Sequence, residues 1–530
     1  MKKLKLVSLA IAMASATPSF AGGLLTNTNQ HVAFNRMMSR EASIGIDGVY
    51  YNPAGVVFMG EGKHLAINWQ LAYQTRSIEN DYALFTNNVN NPTTPREFKG
   101  KAFAPVIPSF QYAYNKGRWS LQAGFALTGG GGKCTFDNGL GSFEKIVAET
   151  AIAAFQLAGA VDQVASQYGV PAVFSSDKYF GKEGEYSYNS YMHGRQYYYG
   201  LSVGAAYKFS DNFSAFAGVR GVYASTNYYG YVENIKVGNM PLYKVLDPNK
   251  ENAANIELSC DQSGIGFTPI IGVDFKTGKW NFSAKYEFKT RIRLKNKAVN
   301  QAPSISALPD NLSRQMVGTL TQVFTNKGMT PEKAQAVAAN TTQAVLTNGD
   351  VVKTMAGLKT QFDTELEEAI GEYEDGKKIA GDIPAYLALG VGYSPVNAVR
   401  VNVGFHWFDD KHATSYNNRQ EKLKRGTLEY NAGVEVDVNK KITLSTGWQN
   451  TNYGLSDEYM DDKSFVVSSN SVAVGGVYHI NKKMDLNVAY FHTFYQHKKT
   501  SENVELTGKT YSSDYTRNNN VFAVGLDINF

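Results

Sequence analysis

The sequence predicts an all-β fold, a 14-stranded antiparallel transmembrane β-barrel with an N-terminal plug, or hatch, and helical extracellular loops. Three observations predict this fold. Apolar and polar residues alternate in segments of about ten residues, as they do in outer-membrane barrels. Short turns alternate with long loops along the chain, and the last residue is aromatic.

The composition argues against several other classes of protein. Aromatic residues make up 13% of the 530 residues, and the two cysteines are too few for a disulfide scaffold or a multi-cysteine metal site. After the N-terminal segment, no apolar run reaches the about 18 residues of a transmembrane helix. Three of the basic residues behind the net charge of +5 lie in that segment. The remaining chain is nearly neutral, so no nucleic acid partner is expected.

Residues 1–21 are predicted to form a secretory signal peptide. Three lysines within the first five residues precede an apolar stretch at 6–14, which is too short to span a bilayer. Small residues at Ser19 and Ala21 suit the −3 and −1 positions of a cleavage site. We therefore expect the mature chain to start at Gly22 and to reside in the bacterial outer membrane.

Each predicted strand has one apolar face and one face of small or polar residues. One face of the first strand, for example, carries Leu65, Ile67 and Trp69, while small or polar residues alternate with them. Aromatic residues often begin or end the apolar face, as in the interfacial girdles of barrels in lipid. The terminal Phe530 resembles the signal read by the barrel assembly machinery, which is an expected partner during biogenesis. The clearest alternating segments are 65–74, 119–127, 197–207, 399–407, 428–436 and 522–530.

The connections predict the number of strands. Six short turns and seven long loops separate fourteen strands, and in lipid the sheet must close because an open edge would leave backbone groups unpaired. A soluble β-sandwich, the alternative, does not explain the alternation of turn and loop. The short turns lie at 115–117, 210–212, 277–279, 394–398, 439–441 and 481–483, and the long loops at 76–101, 129–193, 233–262, 297–381, 410–426, 450–464 and 498–518.

Two of the long loops have apolar residues at helical spacing. The segments are 143–168 and 304–375. Their helices either pack on one another as a lid over the barrel or form a groove for a hydrophobic ligand, and the two alternatives are compatible. The apolar faces of the second segment are Leu308, Leu312, Met316, Leu320 and Phe324, followed by Met355, Leu358, Phe362, Leu366 and Ile370.

Residues 22–62 precede the first strand and show little alternation. Because fourteen strands enclose more volume than their own side chains fill, we expect this segment to fold inside the barrel as a plug. The barrel itself is assigned to residues 63–530.

The order of these parts resembles the FadL family of outer-membrane transporters for long-chain fatty acids and other hydrophobic compounds. The local marks of the resemblance are Ile383-Pro384 at the eighth strand and, where plug meets barrel, a run of four residues: Asn52, Pro53, Ala54 and Gly55. The resemblance implies passive import without a cofactor. A hydrophobic ligand enters a loop groove, moves to a lumen pocket, and leaves sideways through the wall after the plug rearranges.

The family's lateral exit lies near a kinked third strand. In this chain the third strand runs into a glycine run that favours a bend or bulge, although an ordinary loop start is an equal alternative. With the four-residue run above, these glycines are the predicted plug and gate residues: Gly129, Gly130, Gly131 and Gly132.

A fatty acid carboxylate requires a cation. Lys411 resembles a family position that contacts the ligand, whereas Tyr228 and Tyr229 stand where the family has an arginine, which places fatty acid specificity in question. A cationic ladder on strand seven faces either the lumen or the water above the membrane. A solvated lumen with acidic partners is the alternative. The predicted ligand-binding residues are Arg220, Lys285, Lys289, Arg291, Arg293, Arg400 and Lys411.

The remaining predictions concern chemistry. No P-loop, zinc-protease or nucleophile-elbow motif occurs, so no enzymatic activity is predicted. Cys134 and Cys260 both fall on the extracellular side and are predicted as a candidate disulfide, with two separate free thiols as the alternative. A water-filled porin and a surface receptor or adhesin remain the rival functions. An importer would have a hydrophobic small molecule and outer-membrane lipid as its partners.

Overall fold

The computed structural model describes residues 27–530, apart from the side chains at 358, 361–363 and 365–370. The predicted signal peptide, residues 1–21, lies outside the described residues. Within them, no helix is both long enough and apolar enough to cross a membrane.

Fourteen antiparallel strands form one closed barrel, which confirms the predicted fold class. Closure is direct, because β1 pairs with β2 on one side and with β14 on the other. The strands are β1 Gly62–Tyr82, β2 Arg96–Lys116, β3 Trp119–Phe136, β4 Tyr186–Lys208, β5 Phe213–Val237, β6 Ile256–Thr277, β7 Trp280–Glu287 with Arg293–Ala298, β8 Lys378–Ala380 with Tyr386–Val396, β9 Val399–Phe408, β10 Thr427–Asn439, β11 Ile442–Asn452, β12 Ser469–Asn481, β13 Met484–Tyr495 with Lys498–Val504, and β14 Lys509–Asn529. A two-residue strand, Met240–Pro241, folds back and pairs antiparallel with the end of β5.

The side chains alternate between an apolar outer surface and a polar interior. On β1, Ile67 and Trp69 are exposed, whereas Asn68 and Gln70 are buried. The other strands repeat this arrangement, so the outer wall suits the lipid and the lumen is lined by polar groups. We call the end of the barrel with the short connections the turn end and the opposite end the loop end.

The strands continue further toward the loop end than the sequence indicated. The predicted loop 498–518 is mostly strand, because Lys498–Val504 pairs with the start of β14 and only 505–508 connect them. Likewise β1 continues to Tyr82 and β2 starts at Arg96. Above the lipid the outward face need not be apolar, so backbone pairing persists where the alternating pattern is lost.

The two long loops with helical spacing contain helices. The first loop contains α3 Gly141–Ser166 and the single-turn α4 Asp177–Phe180, and the second contains α6 Leu308–Asn326, α7 Pro331–Leu346 and α8 Gly349–Ile370. A further single-turn helix, α5 Tyr243–Leu246, lies in the loop between β5 and β6. Helix α7 was not predicted, although Pro331 after Thr330 is a typical helix start. Apolar residues of α3, α6, α7 and α8 form one core, as the lid alternative expected.

The N-terminal segment lies inside the barrel. Helix α1, Val32–Met37, is buried along its whole length, and a second short helix, α2, covers Gly48–Tyr51. Helix α1 packs against β10 to β14 and β1. The plug in the predicted fold is therefore present, and polar strand residues surround it.

Candidate functional site

The plug is fixed to the turn end of the barrel by the run at 52–55. A side-chain amide and two backbone carbonyls of this run bond to three different strands, while Asn52 also accepts a bond from the Gly55 amide (3.1 Å). The contacts to the wall are Asn52 Nδ2 to Asp274 of β6 (2.6 Å), Gln122 Nε2 of β3 to the Pro53 carbonyl (2.7 Å) and Ser214 Oγ of β5 to the Ala54 carbonyl (2.7 Å).

Buried charges join the other side of the plug to the wall. Arg36 pairs with Glu435 of β10 and donates to Ser445 of β11 (2.9 Å). Glu41 accepts from His406 Nε2 of β9 (2.7 Å), whose Nδ1 contacts Glu429 of β10 (2.8 Å). All of these side chains are nearly inaccessible to solvent. Because an unpaired buried charge is strongly destabilising, the pairs favour one seated position of the plug.

Two of the predicted lumen cations support the plug. Arg220 of β5 makes a two-pronged pair with Glu287 (2.5 and 2.9 Å), and Lys285 contacts the same carboxylate (2.9 Å). Lys285 also donates to the Tyr50 carbonyl (2.6 Å), and both cations lie over the Tyr50 ring. Their charge is already neutralised in part by Glu287.

The predicted ladder on strand seven does not continue along the lumen. The strand is interrupted at 288–292, and its burial pattern changes parity there, so that Arg291 and Arg293 are exposed. Lys289 and Arg293 both contact the buried Asp382 (3.9 and 2.9 Å). The interruption was not visible in the sequence because Phe288 and Ile292 share the apolar parity of the strand, while Lys289, Arg291 and Arg293 continue its polar parity.

Two other predicted cations lie at opposite ends of β9. Arg400, at the turn end of β9, pairs with Glu435 (2.7 Å) and with Asp437. Lys411 follows β9 at the loop end and is exposed, in a short turn at Asp410–His412. Neither lines the cavities described below.

A lumen cavity of about 290 Å³ lies between the plug and the loop end. Plug residues such as Phe34 and Met38 form its floor, and loop residues such as Phe465 close it above. Apolar and polar groups line it in similar proportion.

This cavity reaches an interruption in the barrel wall between β2 and β3. The two strands pair at Ala102 with Cys134 and again at Phe110 with Phe125, but the residues between are not paired with each other. Prolines at 105 and 108 lack the amide that the ladder needs. The interruption was not predicted, although this pair of prolines was the available signal for it.

The glycine run lies on the other side of the interruption, inside β3. The pairing of β3 with β4 has bulges between Leu127 and Gly129 and between Gly130 and Gly132. Gly130 has a φ of +73°, and a Cβ there would overlap the carbonyl of Gln196, so only glycine fits. Thus the strand bends here and continues to Phe136.

Plug side chains bond to the backbone that the interruption leaves unpaired. Asn27 Nδ2 donates to the Gly130 carbonyl (2.8 Å), and Gln30 Nε2 donates to the Leu127 carbonyl (2.9 Å). On the outer face, Trp69 Nε1 donates to the Pro105 carbonyl (2.8 Å). Direct hydrogen bonds therefore join the plug to β3 at the interruption.

A second cavity, of about 180 Å³, lies among the loop helices. Leu157 and Val161 of α3 face Leu308 and Leu312 of α6 across it. Residues Met316, Leu320 and Phe324, further along the same face of α6, pack in the helical core. The predicted apolar face therefore serves both alternatives, because one part packs as a lid and the other lines a groove.

The candidate disulfide is wrong, since both cysteines are free. Cys134, Gly194, Tyr228 and Cys260 are successive register partners on β3 to β6. The two cysteines are thus three strand spacings apart, about 14 Å, whereas a disulfide needs Cα atoms within about 7 Å. The prediction placed both on the same side correctly, but it placed them in the long loops 129–193 and 233–262, whereas they lie within β3 and β6, whose pairing keeps β4 and β5 between them.

Comparison with known proteins establishes the fold. No protein-family model and no curated protein sequence matches the chain. The crystal structure of a Pseudomonas aeruginosa FadL homologue superposes with a TM-score of 0.55 at 14% identity, covering 97% of this chain and 100% of that one. A deltaS2S3 mutant of the monoaromatic hydrocarbon channel TodX gives 0.51 at 14% identity, covering 96% and 100%. The chain therefore has the FadL-type barrel fold.

Proposed function

We propose that this chain is a passive importer of hydrophobic molecules in the bacterial outer membrane, and not an enzyme. The observation that carries the proposal is the lumen cavity, which extends from the loops to an interruption in the wall that the plug itself covers. A ligand that leaves through this interruption passes into lipid and never has to cross water. The fold shared with a FadL homologue and with a hydrocarbon channel supports the same function.

Entry begins in the cavity among the loop helices. Its lining is apolar apart from Thr150, Gln315 and Thr319. Its volume of about 180 Å³ is slightly larger than that of an engineered apolar cavity of about 150 Å³ that binds benzene. The cavity therefore suits an aromatic ring or a section of an acyl chain, which it removes from water.

Exit depends on the plug. As long as Asn27 and Gln30 bond to β3, their side chains stand at the interruption and occupy the path. A movement of this end of the plug would free the two carbonyls and open the gap. The run at 52–55 is anchored at the turn end, so this end can move while the plug remains attached. No energy source is required, because the ligand partitions into lipid.

The test is to fill the interruption. A Cβ on Gly132 would lie 3.5 Å from the Ala104 Cβ across the gap, so Gly132→Phe places a ring in the proposed exit. Gly221→Phe is the matched control, since its Cβ would meet only Phe267 on the outer wall at 3.7 Å. We expect Gly132→Phe to abolish uptake of radiolabelled toluene and hexadecanol into cells and Gly221→Phe to preserve it. Normal uptake by folded Gly132→Phe would refute the lateral exit.

The seated plug also separates this proposal from a porin. Helix α1 and its buried ion pair with β10 occupy the lumen of the described barrel, where a porin would hold water. We expect near-zero conductance from the purified protein in a planar bilayer, and conductance after deletion of residues 22–62. Stable porin-like conductance of the intact protein would refute the importer.

A further inference from the structure

Two arginines face each other in the wall of the lumen cavity. Arg76 of β1 and Arg517 of β14 are direct register partners, at the seam where the barrel closes. Both have the inward parity of their strands and both line the cavity. None of the sequence-based candidates included them, because the first and last strands become neighbours only in the closed barrel.

Neither arginine has an acidic partner among residues 27–530. Within the described part of the chain, both guanidinium groups donate to a single acceptor, Gln74 Oε1, from Arg76 Nε (3.2 Å) and from Arg517 Nη2 (2.6 Å). Each guanidinium has five N–H donors, so most of the ten find no protein acceptor. Arg517 Nε is buried without a partner, and the same guanidinium lies over the Tyr495 ring at 5.2 Å.

Such a pair is unfavourable unless something binds to it. Like charges directly opposite each other on neighbouring strands destabilise a sheet. The other cations of the interior, such as Arg36 and Arg220, pair with carboxylates of the barrel. The arginine pair thus differs from these cations, since no carboxylate of the described residues neutralises it.

The net charge of the cavity lining is positive. Lys463, from the loop between β11 and β12, adds a third cation to the lining. Glu429 lines the cavity as well, but its carboxylate is bound by His406 and by Thr451 (2.8 Å each). Apolar residues, among them Phe491 and Val521, line the same cavity nearer the plug. A charged region next to an apolar one matches an amphiphilic acid.

We propose that Arg76 and Arg517 bind the carboxylate of a long-chain fatty acid or similar amphiphilic acid, while the apolar part of the lumen cavity holds its chain. A carboxylate has two oxygens and accepts from two guanidinium groups at once, which is the strong form of this hydrogen bond. The inference rests on the proposed function, and it gives that function a ligand class. It also moves the carboxylate site from Lys411 to the seam of the barrel.

The experiment compares palmitate with hexadecanol, which have the same chain length and differ in the headgroup. Binding to the purified full-length protein is measured at pH 8, where the carboxylic acid is ionised. The variants are Arg76→Gln, Arg517→Gln and the double variant, and the control is Arg118→Gln at an exposed position of a short turn. We expect the double variant to weaken palmitate binding by about 10- to 100-fold and hexadecanol binding by less than about twofold.

Each result has a distinct meaning. Equal loss of both ligands in the arginine variants, or unchanged palmitate binding, would overturn the carboxylate site. Displacement of palmitate from the wild type by millimolar inorganic phosphate, with no effect on hexadecanol, would show a site for small anions and would overturn it too. Failure of the wild type to bind or transport either ligand would overturn the proposed function itself.

A stability measurement separates binding from a structural role. Removing one of two facing cations relieves repulsion, so we expect Arg76→Gln to raise or preserve the temperature at which the barrel unfolds on a heat-modifiability gel. Arg76→Lys should keep the charge and retain part of the palmitate affinity. A variant that loses both palmitate binding and barrel stability would mean that the arginines are structural.

Discussion

A bulkier residue at Gly390 should unseat the plug without breaking the barrel. Gly390 of β8 faces the plug, and a Cβ there would lie 2.6 Å from Glu41 Cβ and 2.7 Å from the Ala42 nitrogen. Real Cβ atoms essentially never approach closer than 3.0 Å. Alanine therefore requires a shift of about 0.4 Å, which a loop can absorb, whereas the γ-methyls of valine extend a further bond length of about 1.5 Å toward the plug.

The displacement acts on a buried ion pair. Glu41 is 2.7 Å from His406 Nε2, so a movement of about 1 Å or more takes the pair beyond hydrogen-bond distance. A hydrogen bond to a charged group contributes about 1.5–3 kcal/mol. We therefore expect Gly390→Val to increase the population of the unseated plug by about 10- to 100-fold and Gly390→Ala to change it much less.

The assay is single-channel recording in planar bilayers, where the readout is the frequency of open events. Gly221→Val is the control, because its Cβ would point to the outer wall and meet only Phe267 at 3.7 Å. Wild-type conductance from a folded Gly390→Val protein would show that the plug is not held at this contact. Equal effects of alanine and valine would contradict the steric reasoning.

Three other results are expected. Burial and an adjacent acidic residue raise the pKa of Asp462 to about 6. The ionised carboxylate therefore destabilises the folded state at pH 8, and this free-energy cost is relieved as the pH falls through 6. Its contact with Ser142 at the start of α3 (2.8 Å) should then make α3 more resistant to proteolysis at pH 5 than at pH 8, and Asp462→Asn should remove the difference. Cys134 and Cys260 should both be labelled by maleimide after denaturation without reductant, and an unlabelled chain, as a disulfide between them would give, would contradict the spacing of their strands. Lys411→Ala should leave palmitate affinity within about twofold, because Lys411 lines neither cavity; a loss of tenfold would return the carboxylate site to the loops.

The barrel could be predicted because each strand carries its own evidence. Alternation along β1, where exposed Trp69 is followed by buried Gln70, depends only on the period of a strand and on the difference between lipid and lumen. The loop helices could be predicted for the same reason, since Met316, Leu320 and Phe324 recur at helical spacing. Such patterns depend only on residues close together in the sequence, so they can be recognised without knowing which strands or helices pack beside them.

The boundaries at the loop end were less predictable. Above the lipid both faces of a strand meet polar surroundings, so the 498–504 segment of β13 shows no apolar alternation although its backbone is paired. The interruption of β7 after Glu287 had no local signal either, and it turned Arg291 and Arg293 outward. One shift of parity moves every later side chain to the other face.

The sequence by itself determined the fold class, the plug at the start of the chain and the short run at 52–55 that joins the plug to the barrel. Only the tertiary structure decided which residues form the site. Arg76 and Arg517 are 441 positions apart in the sequence and become neighbours because β1 pairs with β14. The interruption at β2 and β3 likewise depends on how two strands register and on which plug side chains reach their free carbonyls. Periodicity fixes the face on which a side chain lies, but the closure of the sheet decides what it faces across the lumen.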